Sequence, residues 1–276
     1  MWLIEKPPTL RKALKDASNT VAHCRSLDAA DQTKLEILYT VYDTKKGRID
    51  TGDLTPLDGK KGDIKKQYPK TYGKEVLSYI RKELMKDIER CPMCSLLPVT
   101  DLDHFWNQSD YGQLAVCRLN LIPTCGTCNG FKTDNSPVLF IHTYYEQIPA
   151  GVVFLKANCN IINGYVVPSF SIDGTSLGNP VLTQRLKDQI VQVHLKTRLR
   201  AASKEFMRKL LQGTTFTSNA ALKSFLKKEE SEKTKDFGLN DWRTALIRGL
   251  LACPGFDMKV VMNYRRSTKR SRDARI

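Results

Sequence analysis

The sequence predicts an α+β chain, mainly helical, with a central zinc-bound module and a short β-hairpin after it. Three observations predict this. Two Cys-x-x-Cys pairs, Cys91/Cys94 and Cys125/Cys128, are separated by 30 residues, the pattern of a tetrahedral four-cysteine zinc site whose ligands arrive as two knuckles. Apolar residues recur every three to four positions on both sides of that segment. Farther on, two runs of strand composition flank Asn163-Gly164, a hairpin signal.

Taken in order, residues 9–26 and 31–43 read as helices, the second with Leu35, Ile37, Leu38 and Val41 grouped on a face. His23 has nothing beside it that resembles a site and reads as a surface or packing residue. Residues 45–70 are rich in Gly, Pro, Asp and Lys, lack sustained periodicity, and read as an extended loop. Lys60, Lys61, Lys65, Lys66 and Lys70 crowd into it, with Tyr68 and Tyr72 interleaved. Such a run is either a solvated surface or a set of phosphate contacts. Over residues 73–90, Val76, Leu77, Ile80, Leu84 and Ile88 form the apolar stripe of a helix, which Cys91-Pro92 ends.

The four cysteines leave their zinc no open coordination position, so it is a staple and the chemistry must come from what it holds. Asp103, His104 and Asn120 lie between the knuckles, and Asn129 follows the last cysteine. Carboxylate and carboxamide oxygens suit Mg2+ or Mn2+, hard cations held by few protein ligands plus substrate phosphate. Strands are expected near 98–104 and 120–124. A helix from about residue 126 would carry Asn129 and Lys132 one turn apart on one face. In a regular strand Asp103 and His104 point to opposite faces, so the chain must bend there if both serve one site. Trp106 and Tyr111 are assigned to packing.

Leu102-Asp103-His104-Phe105, then Asn120-Leu121-Ile122-Pro123, then Cys125-x-x-Cys128-Asn129-x-x-Lys132 resembles, over about forty residues, the HNH endonucleases with a four-cysteine zinc staple and a ββα-metal fold. The resemblance implies that His104 is the general base for the attacking water and that Asp103 and Asn129 hold a catalytic Mg2+ or Mn2+. It also implies that Asn120 braces the loop between the strands and helps orient His104. Many family members carry histidine where Asn129 stands, and asparagine keeps an oxygen ligand. Lys132 is placed as a phosphate contact. Phosphodiester hydrolysis independently needs a base with a pKa near neutrality and a cation to offset charge growing on phosphate oxygens.

After the module, His142 reads either as a site residue or as a histidine hydrogen-bonded at the edge of the core. Residues 152–156 and 165–172 have strand composition. Asn179-Pro180 offers a cap and first-turn proline for a long helix. Leu182, Leu186, Ile190 and Val193 line it, and the pattern runs on through Leu199 toward Leu211, with a break left open. His194, beside that stripe, reads as structural. Residues 218–232 and 241–252 read as further helices, the last containing Trp242 with Asn240 as its cap. From Tyr264 the chain has six basic residues and little that packs, which predicts a mobile arm for phosphates. The regions are therefore a helical 1–90, the module at 91–136, the hairpin and helices of 137–258, and a basic tail at 259–276.

With 44 Lys and Arg against 29 Asp and Glu, a net charge of +15 should attract polyanions, nucleic acid first. The opening residues are too short in their apolar run for a signal peptide, and no segment reaches membrane-spanning length. A cytoplasmic location is expected. There, eight cysteines point to metal rather than disulfides, and Cys24, Cys117, Cys159 and Cys253 read as small buried hydrophobes.

The function expected is hydrolysis of DNA by an HNH endonuclease. The wider arrangement, with helical ends, Leu-Asp-His-Phe and then Phe-Ile-His-x-Tyr-Tyr, resembles stand-alone HNH proteins of bacterial antiphage systems. Those are of the Septu and retron-associated kind, some working beside an ATPase. Phe105-Trp106-Asn107-Gln108 departs from that group in lacking its proline-lysine. Two other functions fit the composition. One is a zinc-stapled nucleic-acid-binding or scaffold protein without catalysis, which would need none of Asp103, His104 and Asn129. The other is an HNH effector that cleaves RNA such as tRNA.

Overall fold

The computed structural model describes residues 2–5, 7–133, 137–212 and 215–264. It is about 53% helical with two small antiparallel sheets, so the class is α+β and mainly helical. The chain divides into a unit of Trp2–Gln147 and a second that begins at Ile148. Residues 2–90 and the cysteine-bearing segment therefore belong to one unit.

In the first unit, α1 (Leu10–Ala22) starts where the Thr9 side chain accepts from the Lys12 N–H, and α2 (Ala29–Thr44) starts at a reciprocal Asp28/Asp31 capping box. These caps satisfy N–H groups that a helix start leaves unpaired. Both helices keep to the expected regions, although α1 stops four residues short. Residues 45–70 differ from the expected extended loop. They form short 3-10 turns at Thr51–Asp53, Thr55–Lys60 and Tyr68–Thr71 around a small helix, α3 (Lys61–Lys65). Leu54, Leu57 and Ile64 are buried. Their three- and seven-residue spacing gives the segment an inward face that the surrounding lysines and glycines obscure.

The helix expected over 73–90 shortens to α4 (Ser78–Met85). Val76 stays exposed, and the helix ends where Lys86 turns extended, ψ 133°, ahead of Asp87 at φ +63°. Strands β1 (Asp101–His104) and β2 (Leu121–Thr124) pair antiparallel with Asp103 opposite Ile122 and His104 opposite Leu121. The helix α5 (Gly126–Lys132) follows at once. Leu102, Leu114, Val116, Cys117, Leu119 and Leu121 share a core with Ala13, Ala17, Leu35, Leu38, Tyr39, Ile64, Leu77 and Ile80. Each buried Leu, Ile or Val of this set contributes roughly 1.5–3 kcal/mol, so the strands are held by the N-terminal helices as well as by each other.

In the second unit, β3 (Leu155–Ile162) and β4 (Tyr165–Ile172) form a hairpin whose turn is Asn163-Gly164, both at positive φ. That is the type I′ geometry matching strand twist. The first strand starts three residues later than expected and runs up to the turn. The helix α9 (Trp242–Ala252) lies flush on β3: a Cβ at Gly249 would fall 2.4 Å from the Ala157 carbonyl oxygen. Asp241 caps α9, whereas the expected cap Asn240 instead holds the strand entrance, accepting from the Phe154 and Leu155 N–H groups and donating to the Val152 carbonyl. The long helix expected from Asn179-Pro180 breaks at Val193-His194, where His194 has φ +49°. It gives α6 (Pro180–Gln192) and α7 (Leu195–Gln212). The helix α8 (Asn219–Phe237) is capped by Ser218.

Residues 258–264 are helical, with Val260, Val261 and Tyr264 buried. The Tyr264 hydroxyl accepts from the Val166 N–H. The start of the expected tail is thus packed structure, and 265–276 lie outside the described residues. No helix among the described residues is long and apolar enough to cross a membrane.

Candidate functional site

The sulfurs of Cys91, Cys94, Cys125 and Cys128 are buried and lie within 4.8 Å of one another. Cys94 and Cys125 are 3.8 Å apart, which is the edge of about 3.8 Å that a tetrahedron with Zn–S bonds of about 2.3 Å requires. Each pair is a turn closed on its own sulfur. The Cys91 carbonyl accepts from the Cys94 and Ser95 N–H groups, and the Leu96 N–H points at Cys94 Sγ. The Cys128 N–H points in the same way at Cys125 Sγ. The four thiols share hydrogen bonds, which hold the Cys125 thiol far below its ordinary range and push those of Cys91 and Cys128 far above it. The four residues thus form a group that can hold a metal ion such as zinc.

This group stands where the chain enters β1 and where α5 begins. Asp103 and His104, the last two residues of β1, are both buried, and the strand alternation sends their side chains to different neighbours. The Asp103 carboxylate meets Lys132 of α5. The His104 ring packs on Tyr68, with ring centres 4.4 Å apart, and its Nε2 is 2.9 Å from the Ala115 carbonyl oxygen. A carbonyl only accepts, so Nε2 carries the proton and Nδ1 is left as the basic nitrogen. Burial lowers the His104 pKa to about 4 against a smaller opposing effect of the Ala115 hydrogen bond; the charges of Lys132 and Lys65 push the same way as burial. Burial raises the Asp103 pKa to about 6, with Lys132 pulling the other way.

Lys132 is fully buried, its ammonium 2.6 Å from the His104 carbonyl oxygen and 3.2 Å from Asp103. In this arrangement it faces Asp103 rather than solvent, so a phosphate contact would require it to leave that carboxylate. Asp103 Oδ2 is buried and, although near the ammonium, has no hydrogen bond among the described residues. Asn129, half-buried, sits one turn before Lys132 on α5. Asp103 and Asn129 are oxygen donors of the class that suits a hard divalent cation.

Asn120, fully buried, ties the connection between the strands together. Its Oδ1 accepts from the Trp106 N–H and the Tyr42 hydroxyl, and its Nδ2 donates to the Trp106 and Leu114 carbonyls. Leu114 precedes Ala115, the His104 acceptor. Behind Asn120, Tyr42 Oη lies 3.0 Å from His142 Nε2. Because Tyr42 gives its proton to Asn120, His142 must donate from Nε2, and its Nδ1 accepts from the Tyr144 N–H. His142 is fully buried among Tyr42, Phe105 and Tyr145. A Cβ at Gly47, which has φ +75°, would fall 2.4 Å from its ring. His142 is thus joined to the surroundings of His104 through Tyr42, Asn120 and the Leu114–Ala115 backbone.

Sequence reasoning missed Tyr42, the packing of Tyr68 on His104 and a buried ion pair. Arg118 donates from Nε and Nη2 to Asp16 of α1 and from Nη1 to Glu83 of α4. The signal was present: Arg118 is the lone charge in the run Ala115-Val116-Cys117-Arg118-Leu119, and Asp16 stands beside Ala13, Ala17 and Thr20 on the inward face of α1. Removing one partner of such a pair costs about 3–5 kcal/mol.

Trp106 and Tyr111 pack edge to face at 4.7 Å, and the Trp106 indole donates to the Gly47 carbonyl. His23 is exposed, its ring bonded to the Asn19 carbonyl. Cys24, Cys117 and Cys159 are buried and Cys253 half-buried. Comparison of the chain with family models, with curated proteins and with solved structures gives no match.

Proposed function

We propose that the chain is a metal-dependent endonuclease of the HNH type that hydrolyses phosphodiester bonds of DNA. The observation that carries the reading is the His104 tautomer, held on the strand of a hairpin that runs directly into α5 beside a four-cysteine group. A histidine whose Nε2 proton is committed to a backbone carbonyl presents an unprotonated Nδ1 near neutral pH, as a base for water requires. Asp103 and Asn129 would hold Mg2+ or Mn2+, which when bound supplies positive charge against the developing phosphorane. His104 takes the proton from water at Nδ1. Asn120 keeps the loop carrying Ala115 in place, and with it the ring orientation. The negative charge of a bound phosphate would raise the depressed pKa of His104 and strengthen it as a base.

A nuclease effector of an antiphage system, with an ATPase partner, extends this reading on sequence resemblance alone. One observation favours a second reading, a zinc-stapled binding or scaffold protein: the Asp103 carboxylate is already paired with Lys132. Incubating the protein with supercoiled plasmid, single-stranded DNA and RNA, with Mg2+, Mn2+ or chelator, separates the two. Cutting that needs the divalent ion and is lost in His104→Ala supports the nuclease and identifies its substrate. Nucleic-acid binding without cutting under every condition favours the scaffold.

A further inference from the structure

The lysines of the basic segment do not behave alike. Lys60 is committed to Asp31 at 3.2 Å and to the Ser26 carbonyl, and Lys70 to the His23 carbonyl. Lys65 and Lys66 are exposed and Lys61 half-buried. The carboxylate within reach of Lys66, Asp63, is 3.7 Å from an ammonium-bearing side chain that is 78% exposed, a pair that contributes little.

These three lysines are fastened to the surroundings of His104. A Cβ on Gly112 would fall 2.8 Å from the Lys61 carbonyl oxygen and 3.3 Å from Lys65 Cβ, so α3 rests directly on the turn Gly112–Leu114 that leads into Ala115. Gln108 donates to the Lys65 carbonyl, and Gln113 to Asp58. From His104 a ladder of rings leads outward: Tyr68 on the imidazole, then Tyr72 edge-on to Tyr68 at 5.6 Å, with the Arg81 guanidinium 4.3 Å from the Tyr72 ring centre. Tyr72, the outer rung, is 43% exposed.

Aromatic rings interleaved with cations suit an unpaired strand, because a splayed base stacks on a ring while phosphates meet lysines; bases in a duplex are already stacked on each other. We propose that Lys61, Lys65, Lys66 and Tyr72 form a track for an unpaired polynucleotide strand leading to His104, with Tyr72 stacking a base and the lysines contacting phosphates. The track rests on the nuclease reading for its destination and not for the binding itself.

The test is fluorescence anisotropy of a labelled oligothymidylate and of a matched duplex on the full chain, across a salt series with no divalent ion added. Tyr72→Ala should weaken single-strand binding about tenfold and Tyr72→Phe at most about twofold, as a stacking role requires. Lys65→Gln with Lys66→Gln should flatten the log–log salt slope by about 1.4, roughly 0.7 for each phosphate no longer neutralised. The inference is overturned if the wild type does not bind the single strand, if it prefers the duplex, or if Tyr72→Ala stays within about twofold of it. Single-strand binding with these dependences, together with no cutting in the Mg2+ and Mn2+ assay, counts against the nuclease reading and leaves the track standing. Cleavage that ignores Tyr72 and the lysines does the reverse.

Discussion

The Lys132 ammonium spans the last two residues of β1, 3.2 Å from the Asp103 carboxylate and 2.6 Å from the His104 carbonyl oxygen, with no exposure to solvent. A cation therefore already sits on the carboxylate to which sequence reasoning assigned a metal. The ammonium offsets part of the cost of burying the carboxylate, whose burial outweighs it, and the pair fastens α5 to β1.

Replacing Lys132 by Met keeps the volume and removes the charge, leaving Asp103 buried without a counter-ion. The loss of stability at neutral pH should be on the order of 3 kcal/mol. It should shrink on acidification, because a protonated Asp103 no longer needs a cation, and it should shrink on adding Mn2+ if Asp103 takes the metal. Urea denaturation at several pH values, with and without Mn2+, reads both effects. A loss that is the same at pH 5 and pH 8 would show that Lys132 acts by packing alone.

The buried histidines set the acid limb of stability. His104 keeps a pKa of about 4 against 6.5 for the free residue, and burial holds His142 well below 6.5. Between those values the unfolded chain binds protons that the folded chain does not, so both residues favour folding above pH 6.5 and lose that contribution as pH falls toward 4. Asp103, raised from 3.8 to about 6, works the other way: its folded form takes up a proton first, which adds stability as pH falls through the same window. His104 and Asp103 pull in opposite directions, and His142 adds to the His104 side. Stability should fall on acidification below about pH 6.5. His142→Phe should flatten that limb in a denaturant titration repeated across pH, while costing about 1–2 kcal/mol for the hydrogen bond taken from Tyr42.

The cysteine spacing, the Asn163-Gly164 turn and the Asn179-Pro180 helix start were legible because each is a local pattern with one physical solution. The strands and α5 were legible to within a few residues for the same reason. The fold of residues 45–70 was not, because its inward residues Leu54, Leu57 and Ile64 are few among many charges and are buried by partners distant in sequence. Placing Asp103, His104, Asn120 and Asn129 in one segment needed only the motif order. Their neighbours were invisible: Tyr68 reaches His104 and Tyr42 reaches Asn120 across 36 and 78 positions, and no period or spacing announces a contact of that separation.

Asn120 offers a prediction in which loop structure and chemistry separate. It supplies two donors and one doubly used acceptor to four buried groups, and leaving several of these unpaired at once costs about 1–3 kcal/mol for each. Asn120→Ala should therefore destabilise the first unit by more than about 3 kcal/mol. Asn120→Asp keeps the acceptor for Tyr42 and Trp106 but puts oxygen against the Trp106 and Leu114 carbonyls, so it should be as damaging. Tyr42→Phe removes one hydroxyl and should cost about 1–2 kcal/mol. Thermal melts rank the three. The His104 ring nitrogens, followed by NMR in the milder Tyr42→Phe protein, report whether Nε2 still carries the proton. If that tautomer survives when Tyr42 no longer holds Asn120, the ring is oriented by Ala115 and Tyr68 alone, and Asn120 serves only the stability of the loop.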